Sequence, residues 1–303
     1  MANLCVKFCG IEFKNPIIVA SGTFGFGQEY LDLYPISALG GIALKGITLE
    51  KRVGNPPPRI AESYSGILNS VGLQNPGVDS FLEDDLPKIE NRDTVLIANI
   101  AGKTIEEYAL MARKLNGSAV DMLEVNVSCP NVKEGGISFG TVPLTVQRIT
   151  RLIKAETDKP VIVKLSPNVT DIGEIARAAE QGGADAVSLI NTVLGMRIDV
   201  KTRRPFIKQN YAGLSGPAVF PIALRMVNQV VNAVKIPVIG MGGISTGLDA
   251  VEMMMAGASL VMVGTALFND PWAPIKIRNS LVEFLDKNGI KNVSELTNSV
   301  NLW

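Results

Sequence analysis

The feature that most constrains the fold is a regular alternation of short apolar segments with stretches of helical periodicity. Eight apolar segments, rich in Val and Ile, lie at residues 16–20, 41–45, 95–99, 122–127, 161–165, 186–190, 238–240 and 260–263. Helices are expected at residues 105–115, 141–157, 172–181, 219–234, 248–256 and 271–287. Strands that are apolar on both faces and alternate with helices indicate a parallel sheet. The pattern predicts an α/β chain folded as one (β/α)8 TIM barrel over residues 1–303, with a doubly wound open sheet as the alternative.

Polar residues and glycines follow most of the predicted strands. They are Ser21, Lys45, Asn99, Asn126, Lys164, Asn191, Thr192, Gly242, Gly243, Gly264 and Thr265. In a (β/α)8 barrel the carboxyl ends of the strands form the active-site rim, so the set predicts a polar pocket there. The connections at residues 46–94, 128–140 and 193–217 are longer than the fold requires, and we expect them to cover the rim or form interfaces.

Cys129 ends the fourth predicted strand and stands directly before Pro130. Proline cannot continue a strand ladder, so the strand should stop here. The chain has no histidine, so proton transfer near neutral pH needs a thiol, lysine, tyrosine, carboxylate or cofactor. Cys129 is therefore a candidate acid/base or nucleophile, with a buried structural cysteine as the alternative. The glycines in residues 133–136 indicate a hinged lid beside it.

Glycine-rich turns follow the last two predicted strands, at residues 240–244 and 263–266. Such turns can offer backbone N–H groups to a phosphate, although they can also serve only to pack closely. Lys45 and Lys164 at the same rim point to an anionic ligand, or to a ring that accepts electrons. A Schiff base on Lys164 is the alternative chemistry.

Composition narrows the class of protein. The 29 basic and 29 acidic residues balance, which gives no sign of a nucleic-acid partner. The chain contains neither an apolar run of about 18 residues nor a signal-peptide pattern, so we expect a cytoplasmic protein without a membrane anchor. Three cysteines and no histidine predict neither a disulfide framework nor a metal site, and Cys5 and Cys9 are interpreted as structural.

Several short motifs together resemble the class 1 dihydroorotate dehydrogenases, over essentially the whole chain. The motifs are ASGTFG at residues 20–25, KG at 45–46, NSVGL at 69–73, NVSCPN at 126–131, NT at 191–192, GLSG at 213–216, GG at 242–243 and GT at 264–265. The cysteine in NVSCPN distinguishes class 1 from the membrane-linked class 2, where a serine is the base. The opening from residue 6 to residue 27 and GMGG at 240–243 are similar to class 1B, the NAD-linked type.

The resemblance implies FMN at the rim and oxidation of (S)-dihydroorotate to orotate in pyrimidine (UMP) biosynthesis. By position, the FMN contacts would be Ser21, Lys45, Gly46, Asn99, Asn126, Lys164, Ile190, Gly216, Gly242, Gly243, Gly264 and Thr265. The substrate contacts would be Lys45, Asn69, Ser70, Val71, Gly72, Leu73, Asn126, Asn191 and Thr192. Cys129 would take the C5 proton while a hydride leaves C6 for the flavin.

The resemblance also implies a partner, an iron–sulfur flavoprotein subunit with FAD and a 2Fe–2S cluster that reduces NAD+. Three scattered cysteines cannot build such a cluster in this chain, and a strand–GxGxxG–helix unit is absent. Met196, Ile198 and Val200 alternate with charged residues, which predicts a short ribbon available for contact. We expect a homodimer with one partner on each barrel, a heterotetramer. Alternatives are a class 1A fumarate-linked enzyme, a Schiff-base lyase using Lys164 and a non-catalytic phosphate-binding barrel.

Overall fold

A closed barrel of parallel strands forms the centre of the molecule. The computed structural model describes residues 2–89, 93–128, 130–131 and 137–303. Within these residues the barrel strands are β1 Ile17–Val19, β2 Gly41–Ala43, β3 Val95–Ile100, β4 Met122–Asn126, β5 Val161–Lys164, β6 Ala186–Leu189, β7 Val238–Met241 and β8 Leu260–Val263. Each strand pairs in parallel with the next along the chain, and β8 pairs with β1. The predicted TIM barrel is confirmed, and the open sheet is excluded because the ladder closes.

The helices surround the barrel. They are α1 Val78–Ser80, α2 Ile105–Asn116, α3 Pro143–Lys154, α4 Ile172–Gln181, α5 Phe220–Val231, α6 Gly247–Met255, α7 Ala266–Asn269 and α8 Ala273–Lys287. The helices predicted from periodicity are all present, with small differences at their ends. Thr104 begins α2 by accepting a hydrogen bond from the Glu107 N–H at 3.3 Å. The third helix begins two residues later than predicted because Pro143 occupies its first position, where proline is favoured.

The cysteines outside the predicted site lie in different surroundings. Cys9 is half-buried, and its thiol donates to the Asp185 carbonyl at 3.3 Å. Burial, with a smaller effect of the Asp185 charge, raises the thiol pKa of Cys9 to about 12, so it stays protonated and unreactive. Cys5 is exposed, so the structural interpretation does not fit that residue.

The first and third long connections fold together into a four-stranded antiparallel sheet, called here the cover sheet. In spatial order its strands are Ile60–Ser63, Gly66–Asn69, Ala212–Ser215 and Val193–Gly195. Leu68, Ile207 and Ala212 form a small core beneath it. The lengths of these connections predict a cover, but the sheet itself is not evident from the sequence.

Three short antiparallel pairs complete the described strands, and one of them joins Pro130–Asn131 to Ile137–Ser138. Ile198–Asp199 pairs with Arg204–Pro205, which confirms the ribbon predicted from the alternation at residues 196–201. Val6–Phe8 pairs with Ile11–Phe13, and the buried Phe13 packs beside the start of β2. In the described part of the chain, the helices are too short or too polar to cross a membrane.

Gly40 tests the packing that closes the barrel at its amino-terminal end. A Cβ at this position would lie 1.9 Å from the Asn15 backbone oxygen. Gly40→Ala must therefore push apart the backbone segments that lead into β1 and β2. We expect a loss of about 1–3 kcal/mol or more in the free energy of unfolding, measured by denaturant titration.

The matched control is Gly117→Ala, because a Cβ there meets nothing within 4 Å. Its effect should stay within about 0.5 kcal/mol. Equal stability of the two variants would contradict this packing.

Candidate active site

A buried polar cluster joins four neighbouring strands near the carboxyl end of the barrel. Glu124 on β4 is fully buried, and its Oε1 accepts a hydrogen bond from Ser188 Oγ on β6 at 2.7 Å. Its Oε2 accepts from Asn99 Nδ2 on β3 at 2.5 Å. Lys164 Nζ on β5 lies 3.7 Å from the same oxygen. A buried charge is tolerated when it is paired and hydrogen-bonded, and Glu124 meets both conditions.

The amide of Asn99 leaves one buried oxygen without a partner. Asn99 is 1% exposed, and its Oδ1 has no hydrogen-bond partner among the described residues. A Cβ built on Gly46 would lie 3.0 Å from this oxygen and 3.2 Å from Leu73 Cδ2. Glycine therefore leaves open the space beside the oxygen. Buried amide oxygens are normally satisfied, so this one indicates a donor on a bound molecule.

Side-chain amides meet at the end of β4, immediately before Cys129. Asn126 Oδ1 accepts from Asn191 Nδ2 at 3.2 Å and from the Ser128 N–H at 3.2 Å. Asn191 Nδ2 also donates to Ser128 Oγ at 2.8 Å, and Asn191 Oδ1 accepts from the Thr192 N–H at 2.8 Å. The predicted substrate residues after β4 and β6 are thus in direct contact.

The segment at residues 69–73 is held in place by two asparagines. Asn55 Nδ2 donates to the backbone and hydroxyl oxygens of Ser70 at 3.0 and 3.1 Å. Asn75 Oδ1 accepts from the N–H groups of Thr48 and Gly77, and its Nδ2 donates to Thr48 Oγ1 and the Leu73 carbonyl. These bonds anchor the segment to the residues that follow β2.

A second group of predicted residues forms a glycine-lined rim at β6, β7 and β8. A Cβ on Gly242 would lie 3.1 Å from Ile190 Cγ1, and a Cβ on Gly243 would lie 2.9 Å from the Gly216 oxygen. A Cβ on Gly216 would lie 3.5 Å from Thr265 Cγ2. Side chains here would close the rim.

The backbone of this rim can bind an anion. Among the described residues, no protein acceptor is recorded for the N–H groups of Gly243, Gly264 and Thr265. Ala20 lies beside Gly264, so Ser21 at the end of β1 borders the same rim. Unpartnered N–H groups on glycine turns are the chemistry that holds phosphate.

Comparison with known proteins assigns the family. The sequence model described as dihydroorotate dehydrogenase matches residues 3–285. The chain belongs to the dihydroorotate dehydrogenase family. It is 52% identical over 298 residues to the "Dihydroorotate dehydrogenase B (NAD(+)), catalytic subunit" of Alkaliphilus metalliredigens (strain QYMF), covering 98% of this chain and 99% of that protein.

Two further relatives carry the same name. The protein of Caldicellulosiruptor bescii is 53% identical over 300 residues, which are 99% of this chain and 100% of the relative. The protein of Geobacillus kaustophilus is 54% identical over 296 residues, which are 97% of this chain and 95% of the relative. The similarity therefore extends over nearly the whole length of each dihydroorotate dehydrogenase.

Two predictions for the dihydroorotate dehydrogenase site fall outside the described residues. These are the assignment of Cys129 as the base and the lid at residues 133–136. Both stay predictions. In the part that the structure describes, no cluster of three or more His, Cys, Asp or Glu side chains could hold a metal ion.

Glu124 and Ser188 are buried polar partners that were not among the predicted site residues. A signal for Glu124 is present in the sequence, since it is a lone carboxylate between Leu123 and Val125 in an apolar strand. Ser188 carries no comparable signal, because serine is common in strands and its contact with Glu124 spans 64 positions.

Lys45 is half-buried at the end of β2 and close to another cation. Burial, and to a lesser extent the charge of Arg59, lowers the pKa of the Lys45 ammonium from its usual 10.5. Arg59 is itself held by Gln74 Oε1 at 2.6 Å and the Asn55 carbonyl at 3.2 Å. Lys45 therefore loses its positive charge at a lower pH than an ordinary lysine does.

This arrangement predicts how Lys45 titrates. Below its folded-state pKa the ammonium is charged and unreactive, and above it the neutral amine reacts. Competitive labelling with trace acetic anhydride across a pH series, read by mass spectrometry, should give a midpoint for Lys45 below 10.5. Arg59→Gln removes a like charge and should move the midpoint upward.

The exposed Lys291 in the same sample serves as the internal reference. A midpoint at or above 10.5, or one that Arg59→Gln leaves unchanged, would contradict the account of Lys45.

Proposed function

We propose that this single barrel domain binds FMN and oxidises (S)-dihydroorotate to orotate in pyrimidine biosynthesis, as the catalytic subunit of an NAD-linked enzyme. The observation that carries the proposal is the unpartnered Asn99 oxygen, which is buried beside the open space at Gly46. The amide nitrogen of the same side chain shares the Glu124 carboxylate with Lys164. The relatives named as catalytic subunits of dihydroorotate dehydrogenase B support the same activity. We expect the reaction to take place in the cytoplasm.

The residues of the rim fit FMN. The unpartnered N–H groups of Gly243, Gly264 and Thr265 suit its phosphate, and the Asn99 oxygen suits an N–H of its ring. When bound, FMN supplies a ring that accepts a hydride. The residues proposed to hold it are Ser21, Lys45, Gly46, Asn99, Asn126, Lys164, Ile190, Gly216, Gly242, Gly243, Gly264 and Thr265.

Lys164 is proposed to stabilise negative charge rather than to form a Schiff base. Its amine nitrogen lies 3.7 Å from the buried Glu124 carboxylate, and this ion pair holds the side chain at the barrel interior. The relatives are named as dihydroorotate dehydrogenases, which does not support a Schiff-base lyase. An ammonium held in a buried site is instead suited to stabilising electron density on a neighbouring group.

The substrate is proposed to bind where the side-chain amides converge. Dihydroorotate carries ring N–H and C=O groups and a carboxylate, so amides can donate to it and accept from it while Lys45 supplies a positive charge. The anchoring of residues 69–73 by Asn55 and Asn75 orders this part of the site before substrate arrives. The proposed contacts are Lys45, Asn69, Ser70, Val71, Gly72, Leu73, Asn126, Asn191 and Thr192.

Cys129 is proposed to remove the C5 proton of the substrate. It directly follows Ser128 in the sequence, and the Ser128 hydroxyl accepts a hydrogen bond from Asn191 in the amide cluster. In a chain without histidine, a thiol of ordinary pKa about 8.5 is the side chain that ionises nearest to neutrality.

Replacement of Cys129 tests this role. Cys129→Ser should retain FMN and orotate binding but slow flavin reduction by dihydroorotate by about 10²–10⁴-fold at neutral pH, with partial recovery as pH rises. Anaerobic stopped-flow absorbance measures the rate.

Cys5→Ser, at an exposed position, is the matched control and should reduce as fast as the unaltered chain. A loss of less than about tenfold in Cys129→Ser would rule out the assignment.

We further propose that electrons leave through a partner iron–sulfur flavoprotein, with FAD and a 2Fe–2S cluster, docked on a homodimer of this chain. Met196, Ile198 and Val200 on the ribbon at residues 196–205 are exposed, an unusual setting for apolar side chains in a row. The Arg197 guanidinium lies 5.3 Å from the Tyr64 ring and 5.1 Å from the Phe206 ring, which links the ribbon to the cover sheet. The names of the relatives, which specify a catalytic subunit, support a partner.

The partner proposal predicts the choice of electron acceptor. The isolated chain should reduce artificial dyes with dihydroorotate but should not reduce NAD+ until the partner subunit is added. Val200→Asp places a charge in the proposed contact, so it should weaken NAD+ reduction by the complex while dye reduction stays unchanged. NAD+ reduction by the isolated chain would refute the proposal, and rapid turnover with fumarate would indicate a class 1A enzyme.

A further inference from the structure

Glu124 contacts every other member of the buried polar cluster. The carboxylate receives Ser188 Oγ at 2.7 Å on one oxygen and Asn99 Nδ2 at 2.5 Å on the other, with Lys164 Nζ at 3.7 Å. Asn99 and Glu124 are directly paired across β3 and β4, and Lys164 and Ser188 are directly paired across β5 and β6. One carboxylate thus links two side chains that border the proposed FMN site to the barrel interior.

The carboxylate decides which way the Asn99 amide faces. An ionised carboxylate only accepts hydrogen bonds, so the atom facing it must be the NH2 group of Asn99. The amide oxygen must then face away, toward the open space at Gly46, where it has no partner among the described residues. If the amide were reversed, a donor would be presented there and two acceptors would oppose each other inside the barrel.

The carboxylate also supplies the counter-charge for Lys164. Both side chains are buried, and an unpaired ammonium in such a site is costly. Apolar residues could pack the same interior at similar stability, so stability alone does not account for this cluster. The cluster instead holds the Asn99 amide oxygen, an acceptor, and the Lys164 ammonium, a cation, in fixed positions at one rim.

We propose that Glu124 is a positioning residue for the bound flavin, acting through the Asn99 amide and the Lys164 ammonium. This inference rests on the proposed function. It assigns Ser188 the role of anchoring the second carboxylate oxygen. The ligand chemistry it selects is a ring that presents an N–H donor to Asn99 and negative charge to Lys164.

The test is titration of FMN into apoprotein, read by flavin fluorescence. Glu124→Gln should weaken FMN binding by at least about tenfold, the scale of a hydrogen bond to a charged group. The visible absorption spectrum of the bound flavin should also change. In an Asn99→Ala or a Lys164→Ala background, the same substitution should cost no more than about threefold, because one of the groups through which Glu124 acts is gone.

A second variant keeps the test decisive if Glu124→Gln does not fold. Ser188→Ala retains the Glu124 carboxylate and its contacts with Asn99 and Lys164, and should weaken FMN binding by about threefold. In the Asn99→Ala background this effect of Ser188→Ala should largely disappear. Thr150→Val is the control, since it removes a buried hydroxyl that donates to Val146 on α3, away from the rim. It should leave both FMN affinity and the spectrum unchanged.

The outcomes separate this inference from the proposed function. If Glu124→Gln lowers FMN affinity by the same factor in all backgrounds, its role is purely structural and the inference is overturned. If that variant does not fold, the same result for Ser188→Ala overturns the inference. Unchanged FMN affinity in both variants would do the same. Unaltered apoprotein that takes up no FMN would instead overturn the proposed function.

Discussion

The parallel pairing of the barrel strands is the constraint on which the rest of the structure depends. Because every strand runs in the same direction, the residues that end the strands meet at one rim although they are far apart in sequence. Asn99, Asn126 and Lys164 are brought together in this way, and so are Gly242 and Ile190. Because β8 pairs with β1, Ser21, which follows β1, lies at the same rim.

The barrel could be predicted because its signals are local. Each strand is a short apolar run, the long helices have their own periodicity, and some helices begin at a side-chain cap, as Thr104 and Thr246 show. The cover sheet could not be predicted, since residues 66–69 pair with residues 212–215 across more than 140 positions. Its strands are short and only partly buried, so they lack the apolar runs that mark the barrel strands.

The residues of the candidate site also differ in whether they could be predicted from the sequence. Residues that follow the strands, such as Lys45 and Asn191, could be predicted as site residues because the (β/α)8 fold places the carboxyl ends of its strands at the active-site rim. The contact between Glu124 and Ser188 depends on side-chain direction and register across three strands, which a one-dimensional pattern does not contain. The membership of the dihydroorotate dehydrogenase family, with relatives matched over nearly their full length, agrees with the strand-end reasoning.

We infer that the rim holds FMN and that dihydroorotate reduces this FMN within the chain itself. The most direct measurement is the visible absorption spectrum of the purified chain during anaerobic addition of dihydroorotate. We expect equimolar bound FMN whose absorbance is bleached by the substrate in the absence of any partner. A colourless protein that takes up no FMN, or a bound flavin that dihydroorotate does not bleach, would contradict it.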